Sequence, residues 1–339
     1  MPRGGARGET MTLPITSIGL LDSDQVKSVI GAAVLAPSTH NTQPWRFRCT
    51  PEGLEVHADP DRALPAADAD QRELLLSCGA ALFNLRTAIH ALGAHPATTL
   101  LPRRDDPTLL AVVRPFAARR PDPRLVELAD AIPRRHTNRT PFEAVAIPAS
   151  IVAALRHAAE VEQAWLPRLN AHQLEQLREL VHKGHHAQVA DPAFLAEWRY
   201  WTARDRDSRD GVPEYAAGAM PSDNGGWVLR DFGSHRRRRT DDSEPLVVVI
   251  GSFDDTRMDR IRAGQAMQRV LLTATVAGLD ASFISQPVEV PAIRTELRSL
   301  LGGGLWPQIV LRLGRGAPVP WTPRRSMADV LLEQHQLNA

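Results

Sequence analysis

Residues 36–45 read APSTHNTQPW, and the strand-like WRFRC of 45–49 runs on directly from them. They follow SDQVKSVIGAAVLA (23–36), where Val26, Ile30, Ala33 and Val34 share one helical face behind a Ser23 or Asp24 cap. A loop pinned between helix and strand in this way is too polar for a core and too short for a linker. Pro37 fixes the backbone where the helix stops. Ser38, Thr39, Asn41 and Gln43 bring hydroxyls and amides that both donate and accept, a set suited to the polar edge of a planar heterocycle. A helix-to-strand loop that holds no ligand would have the same composition.

Outward from this stretch, LEVHADP (54–60) and TLLAVVRP (108–115) have strand character. Between them, 70–94 is a long helix. Leu74, Leu75, Cys78, Ala81, Leu82, Leu85, Ile89 and Leu92 cover more than one of its faces, and Gly93 closes it. A shorter helix over 122–135 runs into a basic turn. The second half repeats the order, with helices over 147–160 and 171–190, a buried strand at 244–253, a long helix at 260–279 and a strand at 308–316. CGAALFNLRTAIHALG (78–93) overlays AGQAMQRVLLTATVAG (263–278), and the helix at 24–36 overlays that at 149–161. The fold class expected is therefore α+β, built as two similar halves fused head to tail. The expected layout is a disordered tail over 1–20, a first half over 21–130 and a second half over 131–339. The second half carries an insertion at 191–243, rich in Gly, Asp, Arg and Pro. A loop of that length is functional or disordered, and Trp198, Tyr200, Trp201, Tyr215 and Trp227 suit docking of part of it.

Bulk properties narrow the function. The 339 residues are 43% hydrophobic and 23% charged, with a formal net charge of +1. That balance argues against nucleic acid or an acidic membrane surface as the main partner. Cys49 and Cys78 stand alone without metal-like spacing, as reduced thiols of a cytoplasmic protein do. MPRGGARGET at the start has no apolar stretch of the signal-peptide kind. No apolar run approaches the ~20 residues of a membrane span, so no segment is expected to cross a membrane.

Two basic segments could carry chemistry. IPRRHTNRTPF (132–142) gathers Arg134, Arg135 and Arg139 around His136, Thr137 and Asn138, and PRRSM (323–327) adds Arg324 and Arg325. Guanidinium forks fit phosphate oxygens, and a Thr hydroxyl adds a further short bond. Each segment by itself also suits a solvated basic turn. The helical His182, His185 and His186 lack a Cys or carboxylate at metal-site spacing, so no metal is expected. HRRRR (235–239) fits a solvated loop, and LLGGGLW (300–306) lacks phosphate-loop spacing. Gly264 inside a long helix fits close helix packing.

These segments together resemble the FMN-dependent nitroreductase superfamily. APSTHNTQPWRF is similar to its Pro-Ser-x-x-Asn-x-Gln-Pro-Trp motif along the isoalloxazine ring, and RRHTNRTPF to its Arg-x-Ser/Thr-x-Arg grip on the flavin phosphate and ribityl chain. LGRGAPVPWTPRRSM is similar to its C-terminal strand and Arg-Arg, and ASFISQPVE (281–289) to the segment over the hydride-accepting nitrogen. The resemblance spans roughly 23–332. Family members of the ordinary kind are homodimers whose flavins lie between protomers. Here the first half has the Pro-Ser motif without the basic opening, and the second half has the converse, with only EVEQAWLPRL (160–169) at the equivalent place. That division resembles the Acg type, fused nitroreductase-like proteins of actinobacteria associated with dormancy.

The resemblance implies one composite FMN site. Arg135, Thr137, Arg139, Arg324 and Arg325 would hold the phosphate and ribityl chain, with Pro37, Ser38, Thr39 and Asn41 along the ring. Ser285, Gln286 and Pro287 would lie at its reactive edge; Pro287 has no N–H, so Ser285 or Gln286 must donate there. NAD(P)H is the implied electron donor and a small molecule such as a quinone or nitroaromatic the acceptor, in a monomeric pseudo-dimer or a homodimer. The alternative is an FMN-storing or sensing protein in which 191–243 closes as a lid, with DGVPEYAAG (210–218) over the ring.

Overall fold

A computed structural model describes residues 15–202, 204–205, 207–217 and 245–332. In chain order the elements are α1 (Ser23–Ala33), β1 (Trp45–Thr50), β2 (Gly53–Ala58), α2 (Arg72–Ala91), β3 (Ala94–Leu100), β4 (Leu109–Ala118) and α3 (Pro123–Ala131). They continue with α4 (Ala149–Val161), α5 (Ala171–Val189), α6 (Pro192–Thr202), β5 (Leu246–Ser252), α7 (Arg257–Val276) and β6 (Asp280–Phe283). The last are α8 (Gln286–Glu289), α9 (Pro291–Leu300), β7 (Trp306–Gly314) and α10 (Met327–Val330). Helices and antiparallel sheets make this an α+β fold, the class expected from the sequence.

The first sheet is antiparallel in the order β1-β2-β4-β3, and the second runs β5-β7-β6. Two isolated bridges extend the second sheet: Trp165 pairs antiparallel with Gly251 beside β5, and Thr137 pairs parallel with Ala281 on β6. The four positions Trp165, β5, β7 and β6 then repeat the order β1, β2, β4 and β3. Helices α1 and α4 precede the two sheets, and α2 and α7 occupy the equivalent later place. The chain ends cross over, since Leu331 pairs parallel with Phe47 on β1.

The main apolar core runs through both halves, taking residues from α1, α2 and β1 as well as from α4, α7, β5 and β7. Its centre is the crossing of α2 on α7. A Cβ on Gly79 would stand 2.3 Å from the Ile261 carbonyl oxygen and 3.0 Å from the Gly264 Cα. A Cβ on Gly264 would stand 2.2 Å from the Leu76 carbonyl oxygen. Each glycine thus meets the residue three positions before the other, a reciprocal contact of the kind a two-fold axis generates. The sequence overlay of 78–93 on 263–278 puts these two glycines at the same position.

Several expectations shift. The cap of α1 is Asp22, in a capping box with Gln25, because the helix begins at Ser23. The pairing of β3, β6, α8 and α9 was not legible, for these are short or have few alternating apolar residues. Residues 192–202 of the expected insertion form α6, anchored by buried Phe194 and Trp201 against Leu64 and Ala67. Of the expected tail, 1–14 lie outside the described residues, whereas Ile18 is buried and hydrogen-bonded to Leu21. HRRRR and Trp227 also lie outside them. Among the described residues one helix, α2, is long and apolar enough to cross a membrane, although charged and polar residues interrupt its apolar run; 83% of that stretch is buried inside the molecule.

The α2/α7 contact is backbone against backbone, so a methyl group there has nowhere to go. Gly264→Ala is expected to destabilise the chain by about 3 kcal/mol, at the upper end of ordinary overpacking costs. Urea unfolding followed by circular dichroism measures it; an unchanged midpoint would mean that the helices separate freely.

Candidate functional site

The loop 36–45 is strained where it leaves α1. His40, Asn41 and Gln43 take φ of 50°, 55° and 52°, the left-handed region, without being glycine. Each such residue costs on the order of 1–3 kcal/mol. Hydrogen bonds hold the loop there. The Ser38 hydroxyl accepts from the Gln43 N–H at 2.9 Å. Asn41 Nδ2 donates to the Gly211 and Pro323 carbonyls at 2.9 and 3.0 Å, and its Oδ1 accepts from Arg324 at 3.1 Å. Gln43 accepts from the Arg325 N–H at 2.8 Å and donates to the Arg209 carbonyl at 2.9 Å. The loop therefore ties the C-terminal segment and residues 209–211 to the first half.

What this leaves facing inward is a cavity lined by Pro37, Ser38, Thr39 and His40 from the loop, and by Glu73, Leu76 and Ser77 from α2. Thr137, Arg139, Met267, the run from Ser282 to Gln286, Val288 and the run from Gln308 to Val310 complete it from the second half. The space, open mouth included, is about 990 Å3, at the upper end of the range for small-molecule sites. Each wall has a local cause. Asn138 N–H donates to the Ala281 carbonyl at 2.9 Å, which seats Thr137 and Arg139 beside β6. Gly184 of α5 lets that helix touch the Gln286 backbone, since a Cβ there would lie 2.8 Å from the Gln286 carbonyl oxygen. The turn at 285 is thereby pressed onto the cavity. Among the described residues the Ser285 N–H donates to nothing, while the Ser285 carbonyl accepts from Val288 and Glu289.

Seven of the twelve residues singled out in the sequence line this one cavity: Pro37, Ser38, Thr39, Thr137, Arg139, Ser285 and Gln286. Asn41, Arg135, Pro287, Arg324 and Arg325 do not line it. Arg324 connects to it through Asn41. Arg325 turns elsewhere, to Asp59 at 3.4 Å, the Gln43 carbonyl at 3.3 Å and the Asp329 carbonyl. Pro287 is buried in the short α8.

Arg135 is the electrostatic anomaly. It is 6% exposed, and its guanidinium makes no hydrogen bond or ion pair with the described residues. Burial, and then the neighbouring Arg324, push it down to about 9. Burial also pushes Arg139 and Arg324 down to about 10. Among the described residues the partners of Arg324 are neutral acceptors: the Asn41 and Thr322 side chains and backbone carbonyls of 35, 36, 322 and 323. Arg135 and Arg324 are desolvated cations that meet no carboxylate among the described residues, which is costly, and an anion that enters beside them relieves the cost. A phosphate group fits this donor set.

Sequence reasoning missed Glu73. It is buried on the cavity wall, where its Oε2 accepts from the Thr39 hydroxyl at 2.8 Å and its Oε1 from Arg72 at 2.9 Å. Burial, and then Glu289, raise it to about 8 against the pull of Arg72. A signal existed: a helix apolar on more than one face buries its occasional charged residues too.

The profile of the "Nitroreductase family" matches residues 132–315. The chain is 35% identical over 323 residues to "Putative NAD(P)H nitroreductase Rv3131" of Mycobacterium tuberculosis, covering 91% of this chain and 92% of that one. It is 29% identical over 321 residues to "Putative NAD(P)H nitroreductase acg" of the same organism, covering 92% and 96%. Among solved structures, a nitroreductase with bound FMN from Bacteroides fragilis is 16% identical, covering 63% of this chain and 98% of that one, with a TM-score of 0.34. An iodotyrosine deiodinase bound to FMN and 3-iodo-L-tyrosine is 14% identical, covering 62% and 98%, with a TM-score of 0.40. The chain belongs to the nitroreductase family.

Proposed function

We propose that the chain is an FMN-dependent NAD(P)H oxidoreductase with one composite flavin site, formed where its two halves meet. The observation that carries this is Arg135, a buried cation without an anion among the described residues, two positions from a cavity wall in which 37–40 meet 137–139 and 282–286. Arg135, Arg139 and Arg324 would hold the phosphate. Ser38 and Thr39 would meet the ring, and the free Ser285 N–H is the available donor at its reactive edge. FMN when bound supplies two-electron hydride chemistry between NAD(P)H and a small acceptor such as a quinone or nitroaromatic. The protein's own contribution is to bind, orient and exclude water.

The same site supports the fused pseudo-dimer. The reciprocal glycine contact and the repeated strand order are what a duplicated, fused homodimer leaves behind. Only one copy of each binding segment is present, so one site per chain follows, and a monomer suffices to form it.

A second reading, FMN binding with little turnover, is favoured by one observation. Residues 209–217 dock on both flavin-binding segments: Gly211 and Asn41 exchange hydrogen bonds, and Arg139 donates to the Ala216 carbonyl at 3.1 Å. Asp210 is clamped by Arg62 at 2.7 Å and Arg204 at 2.8 Å. A lid over the ring would build on this anchorage; residues 218–244 lie outside the described residues.

The purified protein is expected to be yellow and to prefer FMN to riboflavin, with Arg135→Met abolishing that preference; equal affinity for both flavins in the parent chain would remove the phosphate assignment. Because Met leaves no buried charge, the ligand-free variant should melt at or above the parent temperature. Deletion of 205–235 separates the two readings through NADPH oxidation with a nitro substrate: a gain of about tenfold, as unmasking a blocked competent state gives, supports occlusion, and an unchanged rate supports an open enzyme.

A further inference from the structure

Two buried carboxyl groups meet one guanidinium at the cavity wall, and a third stands close by. Asp68 and Glu73 flank Arg72, which donates to Glu73 and to the Val288 and Gln308 carbonyls, and Glu289 adds its negative charge beside Glu73. Gln188 donates to Glu289 at 2.6 Å. His40 and Arg139 line the same cavity from other elements. The nearby Arg260 and Arg294 are taken by Asp255. Burial of Asp68 and Glu73 around the one guanidinium, with the charge of Glu289 beside them, favours a retained proton on this pair against the pull of Arg72.

Hydrogen-bond geometry says where that proton sits. Both Asp68 oxygens face N–H donors, Glu73 N at 2.9 Å and Leu74 N at 2.8 Å, which bind the ionised form. Glu73 Oε2 faces the Thr39 hydroxyl, a partner that donates or accepts equally well. We propose that Glu73 is the proton reservoir of the cavity and hands its proton through Thr39 to the oxygen of the electron acceptor. This rests on the flavin reading above.

The balance is one proton and one hydride equivalent per two-electron acceptor. For a quinone, FMN held by Arg135, Arg139 and Arg324 would supply the hydride equivalent, taken from NAD(P)H. The Thr39 O–H proton passes to the quinone oxygen while the Glu73 O–H proton replaces it on Thr39, and the product is the hydroquinone. Glu73 is left as a carboxylate and regains its proton from water after the product leaves. The raised titration of Glu73, to about 8, keeps this proton in place at neutral pH.

The test uses the full FMN-bound chain. Infrared spectra should show a protonated-carboxyl stretch that titrates away on alkalinisation and is missing in Glu73→Gln. In stopped flow, reoxidation of the NADPH-reduced protein by 2-methyl-1,4-naphthoquinone should slow as pH rises through the Glu73 titration. Glu73→Gln should be slower by about 100-fold, the low end for a positioned proton donor, and insensitive to pH. Thr39→Val should be as slow with the infrared band retained, and Thr39→Ser should restore the rate. The band persisting in Glu73→Gln, or Thr39→Val reoxidising at the parent rate, overturns the proposal and leaves flavin binding untouched. A parent chain that binds no FMN overturns the flavin reading beneath it. If Glu73→Gln does not fold, Thr39→Val alone decides.

Discussion

The contact between Gly79 and Gly264 sets the distance on which the rest of the molecule depends. With no side chain on either glycine, α2 and α7 meet backbone to backbone, and the two halves share one core. Glu73, Leu76 and Ser77 on α2 and Met267 on α7 then line one cavity, with the second sheet's β6 and β7 beside them. The loop at 36–45 follows α1, which packs on α2, so its position relative to 137–139 is inherited from the same crossing. A cavity assembled from two halves needs this fixed spacing, because residues from each half must reach one ligand.

Within APSTHNTQPW the polar residues divide their work. Asn41 and Gln43 spend their amides on Gly211, Pro323, Arg209 and Arg325, which compensates the left-handed backbone they adopt. Ser38 and Thr39 remain on the cavity wall. The stretch is so densely polar because it is both a cavity wall and the joint that secures the chain's C-terminal segment. Loss of an amide here would loosen the wall from behind, without touching anything in the cavity.

Much of this was legible in the sequence, for identifiable reasons. Long helices with strong apolar patterning, α2 and α7, stood out, as did the buried runs of β5 and β7. The overlay of 78–93 on 263–278 even placed the glycines that touch. Pro37, Ser38, Thr39, Thr137, Arg139, Ser285 and Gln286 were found through motifs whose residue types are unusual together. What could not be seen was direction. Arg324 and Arg325 are adjacent, yet one reaches Asn41 beside the cavity and the other pairs with Asp59. Spacing along a loop does not fix where a side chain points. Glu73 was overlooked because its role comes from Asp68, five positions before it, from Thr39, 34 before it, and from Glu289 of α8, more than 200 residues later, and no local pattern records such a meeting.

The electrostatics of the site follow one logic. Among the described residues, Arg135 and Arg324 are buried cations that meet no carboxylate, whereas Asp68 and Glu73 are buried carboxyl groups that share the single guanidinium of Arg72. Each imbalance is costly alone, since a buried charge without its counterpart forfeits hydration. The protein meets the two in different ways. The carboxyl cluster lowers its charge by keeping a proton, as a carboxylic acid readily does. Guanidinium groups resist deprotonation, so the basic cluster has no such outlet and depends on an anion brought from outside. Among the described residues the unmet demand lies at Arg135 and Arg324, and a molecule with an anionic end and a hydrogen-bonding, uncharged body satisfies it while leaving the proton where it was. Binding and proton storage are in this way separable properties of one cavity, fixed by which of its charges can neutralise themselves.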